Sequence, residues 1–358
     1  MKILITGNLG YVGAAVVRHT RQVLPDACLV GLDMGYFGHC LTSQDILPEC
    51  RVDLQYFADV RKLPEGVLDG VTAVVHLAAI SNDPIGNAFE SVSFDINHRS
   101  SVALAAKAKR AGARAFVFAS SCALYGCAED RPRTETSAVS PQTAYAKSKV
   151  YAESDLADLA APAFKVTCLR FATACGMSDR LRLDLVLNDF VAGALASRTI
   201  AMLSDGTPWR PLIDVKDMAR AIHWAIGRDG AAGGPFLIVN VGRDDWNFRI
   251  KELAEAVAGA IPDVTVSMNA DAHPDKRSYR VDFSLFRRLA PEHQPTVDLA
   301  VTIADLKRGL EAMGTGDRDF RSGRFIRLKV LEELRRKGFL SDRLEWQTEG
   351  RLAVPHAA

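Results

Sequence analysis

Residues 2 to 13 read KILITGNLGYVG, an apolar, β-branched run followed without a break by glycines at 7, 10 and 13. No other feature of the chain constrains its fold as strongly. The first glycine permits a tight turn, the second lets the backbone approach a pyrophosphate, and the third lets the following helix settle against the strand. The N-terminus of that helix then turns its free N–H groups toward the phosphates. Asp33 ends the next strand-like run, CLVGLD, about twenty residues further on, where a carboxylate accepts hydrogen bonds from a ribose diol. The stretch therefore predicts a dinucleotide site, with Gly7, Asn8, Leu9, Gly10, Tyr11, Val12 and Gly13 around the phosphates. A carboxylate at Asp33 repels a 2′-phosphate, and no arginine follows closely in GLDMGYFGH, so NAD is expected rather than NADP.

Short apolar runs then alternate with segments of helical spacing: CLVGLD, AVVHLAA, AFVFASS and KVTCLRFA, with Asn97 to Gly112 helical among them. This alternation predicts an α/β fold with a Rossmann-type, doubly wound parallel sheet. Past Cys175 the pattern loosens, FLIVNVG (Phe236 to Gly242) reads as one more buried strand, and helical spacing returns over Phe248–Ala260 and Leu299–Met313. Two domains are expected: 1–172 plus 212–245 for NAD, and a smaller C-terminal α/β unit, 173–211 plus 246–358, for a second ligand. The tail RFIRLKVLEELRRKGF predicts an amphipathic helix whose basic residues form a solvated face.

A formal charge of +1 gives no reason to expect nucleic acid or an anionic membrane as a partner. No apolar run approaches the roughly 20 residues of a membrane span, and a cytoplasmic protein is expected. The seven cysteines are scattered with no CxxC pair, so free thiols are expected and no metal site.

In SPQTAYAKSKVYAES, Tyr145 and Lys149 stand four apart in a helical pattern that Pro141 could open, which puts them on one helix face. An ammonium beside a phenol, together with the positive nicotinamide of the cofactor, lowers its pKa from about 10 toward neutrality and makes it a general base. Together TGNLGYVG, Asp33, HLAA, Asn97 in DINHRSS, SSCALYG, YAKSK, LRFATACG and DKRSY resemble the extended short-chain dehydrogenase/reductases, specifically the NAD-dependent nucleotide-sugar epimerase/dehydratase family. The resemblance implies that Ser121 shares a hydrogen bond with the reacting sugar oxygen, that Asn97 kinks a helix and holds a water, and that the catalytic set is Ser121, Tyr145, Lys149 and Asn97. It also implies cofactor contacts from Asp59, Val60, Leu77, Ala78 and Ala79. For a nucleotide-diphosphate sugar it implies Ser81, Ser121, Asn188, Arg210 and Arg277, with Arg180 and Arg182 as further cations. A homodimer built on the helices bearing Asn97 and Tyr145 is expected on the same ground.

Family members that eliminate water across C5 and C6 carry an Asp–Glu pair directly after the catalytic Ser/Thr. Here Cys122 and Ala123 stand in its place, and neither supplies an acid for a departing hydroxyl. The expectation is thus reversible oxidation at sugar C4 through a 4-keto intermediate, by an epimerase. A C4 dehydrogenase or 4-ketoreductase that releases its product is the alternative, ahead of a 4,6-dehydratase or an idle NAD sensor.

Overall fold

The computed structural model describes residues 1–347 apart from 43–45, 82, 269–277 and 315–319. Its centre is a seven-stranded parallel sheet. From one edge to the other run β3 (Leu54–Phe57), β2 (Cys28–Asp33), β1 (Lys2–Thr6), β4 (Ala73–His76), β5 (Ala115–Ser121), β7 (Lys165–Phe171) and β11 (Phe236–Val241). The direction of winding reverses between β1 and β4. A doubly wound sheet opens a crevice at the carboxyl ends of its strands at such a point.

Alternation along the strands sends side chains to both faces. Ile3 and Ile5 of β1 join Val75 and Val117 in one core, under α1 (Tyr11–Val23) and α7 (Val215–Gly227), while Leu4 joins Val74, Phe116 and Phe118 in the other. That second face is covered by α4 (Ser100–Arg110) and α5 (Ala144–Ala157), which supply Leu104, Ala105, Ala152 and Leu156. Residues 3 to 5 of β1 are completely buried, and each fully buried Ile or Leu contributes about 1.5–3 kcal/mol.

A second layer sits beyond the carboxyl ends. It contains a small sheet of β8 (Thr173–Cys175), β10 (Trp209–Asp214) and β12 (Asn247–Arg249), and two strand pairs: β9 (Thr199–Met202) with β13 (Thr265–Met268), and β6 (Ala128–Arg133) with β14 (Tyr279–Val281). A third core fills it, drawn from α6 (Val186–Ser197), α8 (Ile250–Ala260) and α10 (Leu299–Ala312).

The C-terminal segment departs from the sequence-based expectation. Helix α11 spans only Arg327–Arg336, and Leu331, Leu340 and Leu344 are buried in the core of the large sheet. Its first residue, Arg327, is 2% exposed, so the basic residues of this segment do not all form a solvated face. Tyr36 donates to the Leu344 carbonyl, Trp346 donates to the Met34 carbonyl at 2.7 Å, and Arg61 donates to the Arg343 carbonyl at 2.8 Å. The segment thereby straps the loop that follows β2.

Candidate active site

A cavity of about 980 Å³ opens at the carboxyl ends of the strands, between the large sheet and the second layer. Gly7, Gly10, Tyr11, Val12 and Gly13 form one wall. Gly7 has φ +74°, and a Cβ there would lie 2.6 Å from the Ala78 nitrogen, while one on Gly13 would lie 2.2 Å from the Gly7 oxygen. Only glycine satisfies both close approaches. Helix α1 has Gly10 at its N-cap and no side-chain cap, leaving its first N–H groups for a ligand anion. Asn8 and Leu9 are buried away from the cavity lining, with the Asn8 amide donating to Gln55 Oε1 at 2.6 Å.

Asp33 lines the cavity, its two carboxylate oxygens held by the amides of Leu9 (3.1 Å) and Gly35 (2.8 Å). Burial pushes this carboxyl up from its ordinary range, and those two amides pull it back. Asp59, Val60, Leu77, Ala78 and Ala79 also line the cavity, but the Asp59 carboxylate is clamped by the Arg61 guanidinium at 2.6 Å. Wall, capless helix and buried carboxylate together fit a dinucleotide.

At the far end, Ser121, Tyr145 and Lys149 face the same space. Helix α5 begins at Ala144 and is capped by Thr143 rather than opened by Pro141; the Thr143 hydroxyl accepts from the Ala146 amide at 3.2 Å and donates to Asp83 at 2.6 Å. Gly86 lets the preceding helix come close, since a Cβ there would sit 3.0 Å from the Tyr145 Cβ. Ser121 Oγ accepts from the Ala123 amide at 3.1 Å, and the Ser121 hydroxyl pulls the Tyr145 phenol down. Lys149 alone does not lower the Tyr145 phenol. Burial pushes it up to about 12, against the pull of Ser121, while the Lys149 ammonium donates to the Ala119 carbonyl at 2.7 Å and lies 5.8 Å from the Tyr145 ring centre. Burial likewise brings Lys149 down to about 8, offset by Glu153.

Three residues prove to act behind the cavity. Asn97 is fully buried in a single π-turn, Asp95–Arg99; its amide accepts from the Ile80 nitrogen at 2.8 Å and donates to the Ile80 oxygen at 2.9 Å and to Ser148 at 3.1 Å. It pins the loop after β4 to helix α5, so it positions the site rather than lining it. Asn188 does not line the cavity either: it is fully buried, accepting from the Gly176 amide at 2.9 Å and donating to the Arg182 carbonyl at 2.9 Å. His76 is closed off between Thr6 (Nδ1 to Oγ1, 2.6 Å) and Ser101 (Nε2 to Oγ, 2.7 Å). Because the Ser101 hydroxyl is spent on the Asn97 carbonyl, the Nε2–H must donate to Ser101 and Nδ1 must accept from Thr6.

On the second-layer side, Ser81, Asp83, Arg182, Asp184 and Arg210 line the cavity. Arg182 pairs with Asp184 (Nε to Oδ1, 2.9 Å) and donates to Ser81 at 2.9 Å. Arg210 is held by the Trp209 carbonyl at 2.8 Å, and its guanidinium lies 5.9 Å from the centre of the Tyr279 ring. Arg180 is turned to Glu49 and the Gly38 carbonyl, outside the lining. Arg277 lies outside the described residues. Sequence reasoning missed Asp184 and Arg327 in this wall; the spacing Arg327, Leu331, Leu334 places Arg327 on the apolar stripe of its helix, a signal that phase carries and residue type does not.

Residues 3–242, two thirds of the chain, match the model of the NAD dependent epimerase/dehydratase family. The chain belongs to that family.

As a member of the NAD dependent epimerase/dehydratase family it uses NAD, which the glycine wall and Asp33 fit. It is 26% identical over 269 residues to the UDP-glucose 4-epimerase of Streptomyces lividans, covering 72% of this chain and 80% of that one. It is also 26% identical over 332 residues to the dTDP-glucose 4,6-dehydratase of Neisseria meningitidis serogroup B, covering 86% and 87%. Its match to the UDP-glucose 4-epimerase of Lactobacillus helveticus, 28% identical, covers half of this chain and 53% of that one. Among solved structures, the NAD-dependent NDP-hexosamine 5,6-dehydratase TunA superposes with a TM-score of 0.74 at 24% identity, covering 87% of this chain and 98% of that one.

Proposed function

We propose that this enzyme is a nucleotide-sugar 4-epimerase that oxidises and re-reduces sugar C4 through a retained 4-keto intermediate. The observation that carries this is the surface beside Ser121. Ser121 and Tyr145 meet in the cavity, Ala123 lines the wall next to them, and Cys122 is fully buried with its thiol donating to the Arg170 carbonyl at 3.1 Å. Burial pushes that thiol far above its ordinary range, so it offers neither acid nor base to a departing hydroxyl. An acid–base pair for elimination is therefore lacking beside Ser121, while the groups for oxidation at a carbinol are in place.

Bound NAD supplies the hydride acceptor, returns the hydride, and brings a positive ring that offsets the burial of the Tyr145 phenol. Tyr145 takes the proton of the sugar hydroxyl as the ketone forms and gives it back on reduction. Ser121, whose oxygen already accepts from the Ala123 amide, keeps its own proton to donate toward the sugar oxygen. Lys149 holds positive charge beneath the phenol, and Asn97 fixes the helix that carries both.

The remaining assignments are part of the same proposal: dinucleotide contacts from Gly7, Gly10, Tyr11, Val12, Gly13, Asp33, Asp59, Val60 and 77–79; diphosphate and sugar contacts from Ser81, Arg182 and Arg210; a division into 1–172 plus 212–245 and 173–211 plus 246–358; and a homodimer through the helices of Asn97 and Tyr145. The test is incubation with NAD and a panel of UDP-, GDP-, dTDP- and CDP-sugars, followed by absorbance of the reduced cofactor and by NMR. A new C4 epimer without net reduction is the expected result. Reduced cofactor accumulating beside a free keto sugar would make the enzyme a dehydrogenase, and a 4-keto-6-deoxy product would make it a dehydratase.

A further inference from the structure

The strap formed by the C-terminal segment does more than cover the loop after β2. Its Arg327 reaches the cavity wall next to Arg182 and Asp184 although it is 2% exposed. One guanidinium nitrogen, Nη2, donates to the Arg180 carbonyl at 2.9 Å, and the guanidinium lies 4.4 Å from the centre of the Phe37 ring. The other, Nη1, is buried and has no hydrogen-bond partner. Asp184, the neighbouring carboxylate, is already bound on both oxygens by Arg182, at 2.9 and 3.0 Å. Among the described residues no carboxylate forms an ion pair with Arg327.

A buried N–H without an acceptor is costly, the more so when it carries charge. Burial brings the Arg327 group down to about 10, so it remains a cation at neutral pH. A planar guanidinium with a spare N–H is suited to a phosphate oxygen, with which it makes short, charge-assisted hydrogen bonds. Resting on the function proposed above, under which the cavity takes two diphosphates, we propose that Arg327 binds a diphosphate oxygen in this cavity, so that the C-terminal strap completes the ligand site. The two sources of that chemistry are the pyrophosphate of the dinucleotide and the diphosphate of the sugar nucleotide.

The test compares wild type with Arg327→Met, which keeps an apolar stem against Phe37, and with Arg327→Lys. Calorimetric titration measures NAD on the free protein, then whichever of UDP, GDP, dTDP and CDP the wild type takes up when loaded with NAD. The expected result is that Arg327→Met weakens one of the two ligands by about tenfold or more, the loss of one charge-assisted contact. The other ligand keeps its affinity, Arg327→Lys recovers part of the loss, and the melting temperature without ligand stays level or rises. The ligand that weakens identifies the source. Unchanged affinity for both ligands overturns the proposal, as does an equal loss for both with a fall in the unliganded melting temperature, which marks a purely structural arginine. A wild type that binds NAD but no nucleoside diphosphate instead overturns the proposed function, and the NAD titration alone then decides Arg327.

Discussion

Acidification acts on this protein through His76. The ring is fully enclosed, its Nδ1 accepts from Thr6, its Nε2–H donates to Ser101, and Phe116 and Phe118 pack around it. A proton added at Nδ1 would leave Thr6 without its acceptor and place a charge in an apolar core near the Lys149 ammonium. Burial first, and Lys149 second, therefore push this histidine down to about 3 from an ordinary value of 6.5. In the unfolded chain the same group takes up its proton near 6.5, so between those limits the unfolded state binds more protons than the native state. Stability is therefore fully present above pH 6.5 and falls as the pH is lowered, by about 1.4 kcal/mol per pH unit from this group alone. The loss is about 2 kcal/mol at pH 5 and about 4 kcal/mol at pH 3, with a limit of about 5 kcal/mol below that. Urea unfolding of wild type and of His76→Gln at pH 7.5, 6.5, 5.5 and 4.5 measures it. The variant is expected to be less stable at pH 7.5, because it loses packing against the phenylalanines, but to have a shallower acid slope, so that the two curves converge as the pH falls. Parallel curves would refute the reasoning, because they would mean that His76 takes up no differential proton. Other groups titrate in this range too, including His19, lowered to about 4 by burial and then by the neighbouring His223, and taking the difference between the two proteins removes their contribution.

Further outcomes are expected at the site and in the core. Tyr145→Phe removes the proposed general base and should lower kcat by about 10²–10⁴ while NAD affinity in calorimetry stays near wild type. Glu153 holds Arg170 through three contacts of 2.6 to 3.2 Å and accepts from Ser120 at 2.5 Å, all buried. Glu153→Gln leaves the Arg170 charge uncompensated and should cost about 3–5 kcal/mol in urea unfolding. It also removes the attraction that holds Lys149 up, so the Lys149 pKa falls further, and a pH–rate profile should show that shift. Tyr151 is half exposed on α5 and stacks on Phe94 at 5.8 Å. Light scattering should give twice the chain mass for wild type, and Tyr151→Asp should shift it toward the single chain.

The large sheet was legible because each of its central strands is an apolar run bounded by glycine or polar residues. KILIT, CLVGLD and AFVFASS match β1, β2 and β5 residue for residue. Gly7 and Gly13 were legible because only glycine permits the approaches they make. Asn97 and Asn188 carried a family resemblance to catalytic and ligand roles, and in three dimensions each spends its amide on backbone groups and a neighbouring hydroxyl, a use that side-chain type does not reveal. For the Tyr145 phenol, spacing on a helix shows that Lys149 can be near, whereas burial, which pushes the phenol up, depends on everything packed around both, and the nicotinamide cation that the expectation also invoked acts only once NAD is bound. Arg327 was hidden among the many charges of its segment. Only its position in phase with Leu331 and Leu334 distinguishes it from the solvated arginines beside it.

The contact between Tyr36 and Leu344 joins residues 308 apart in the chain. Translation delivers the last strand of the large sheet, ending at Val241, well before Leu331, Leu340 and Leu344, which share its core. At about 5–20 residues per second the ribosome needs on the order of 5 to 20 s to cover that interval. For that time the nascent sheet carries an uncovered apolar patch beside Phe89 and Tyr36, a place where a chaperone would be expected to bind.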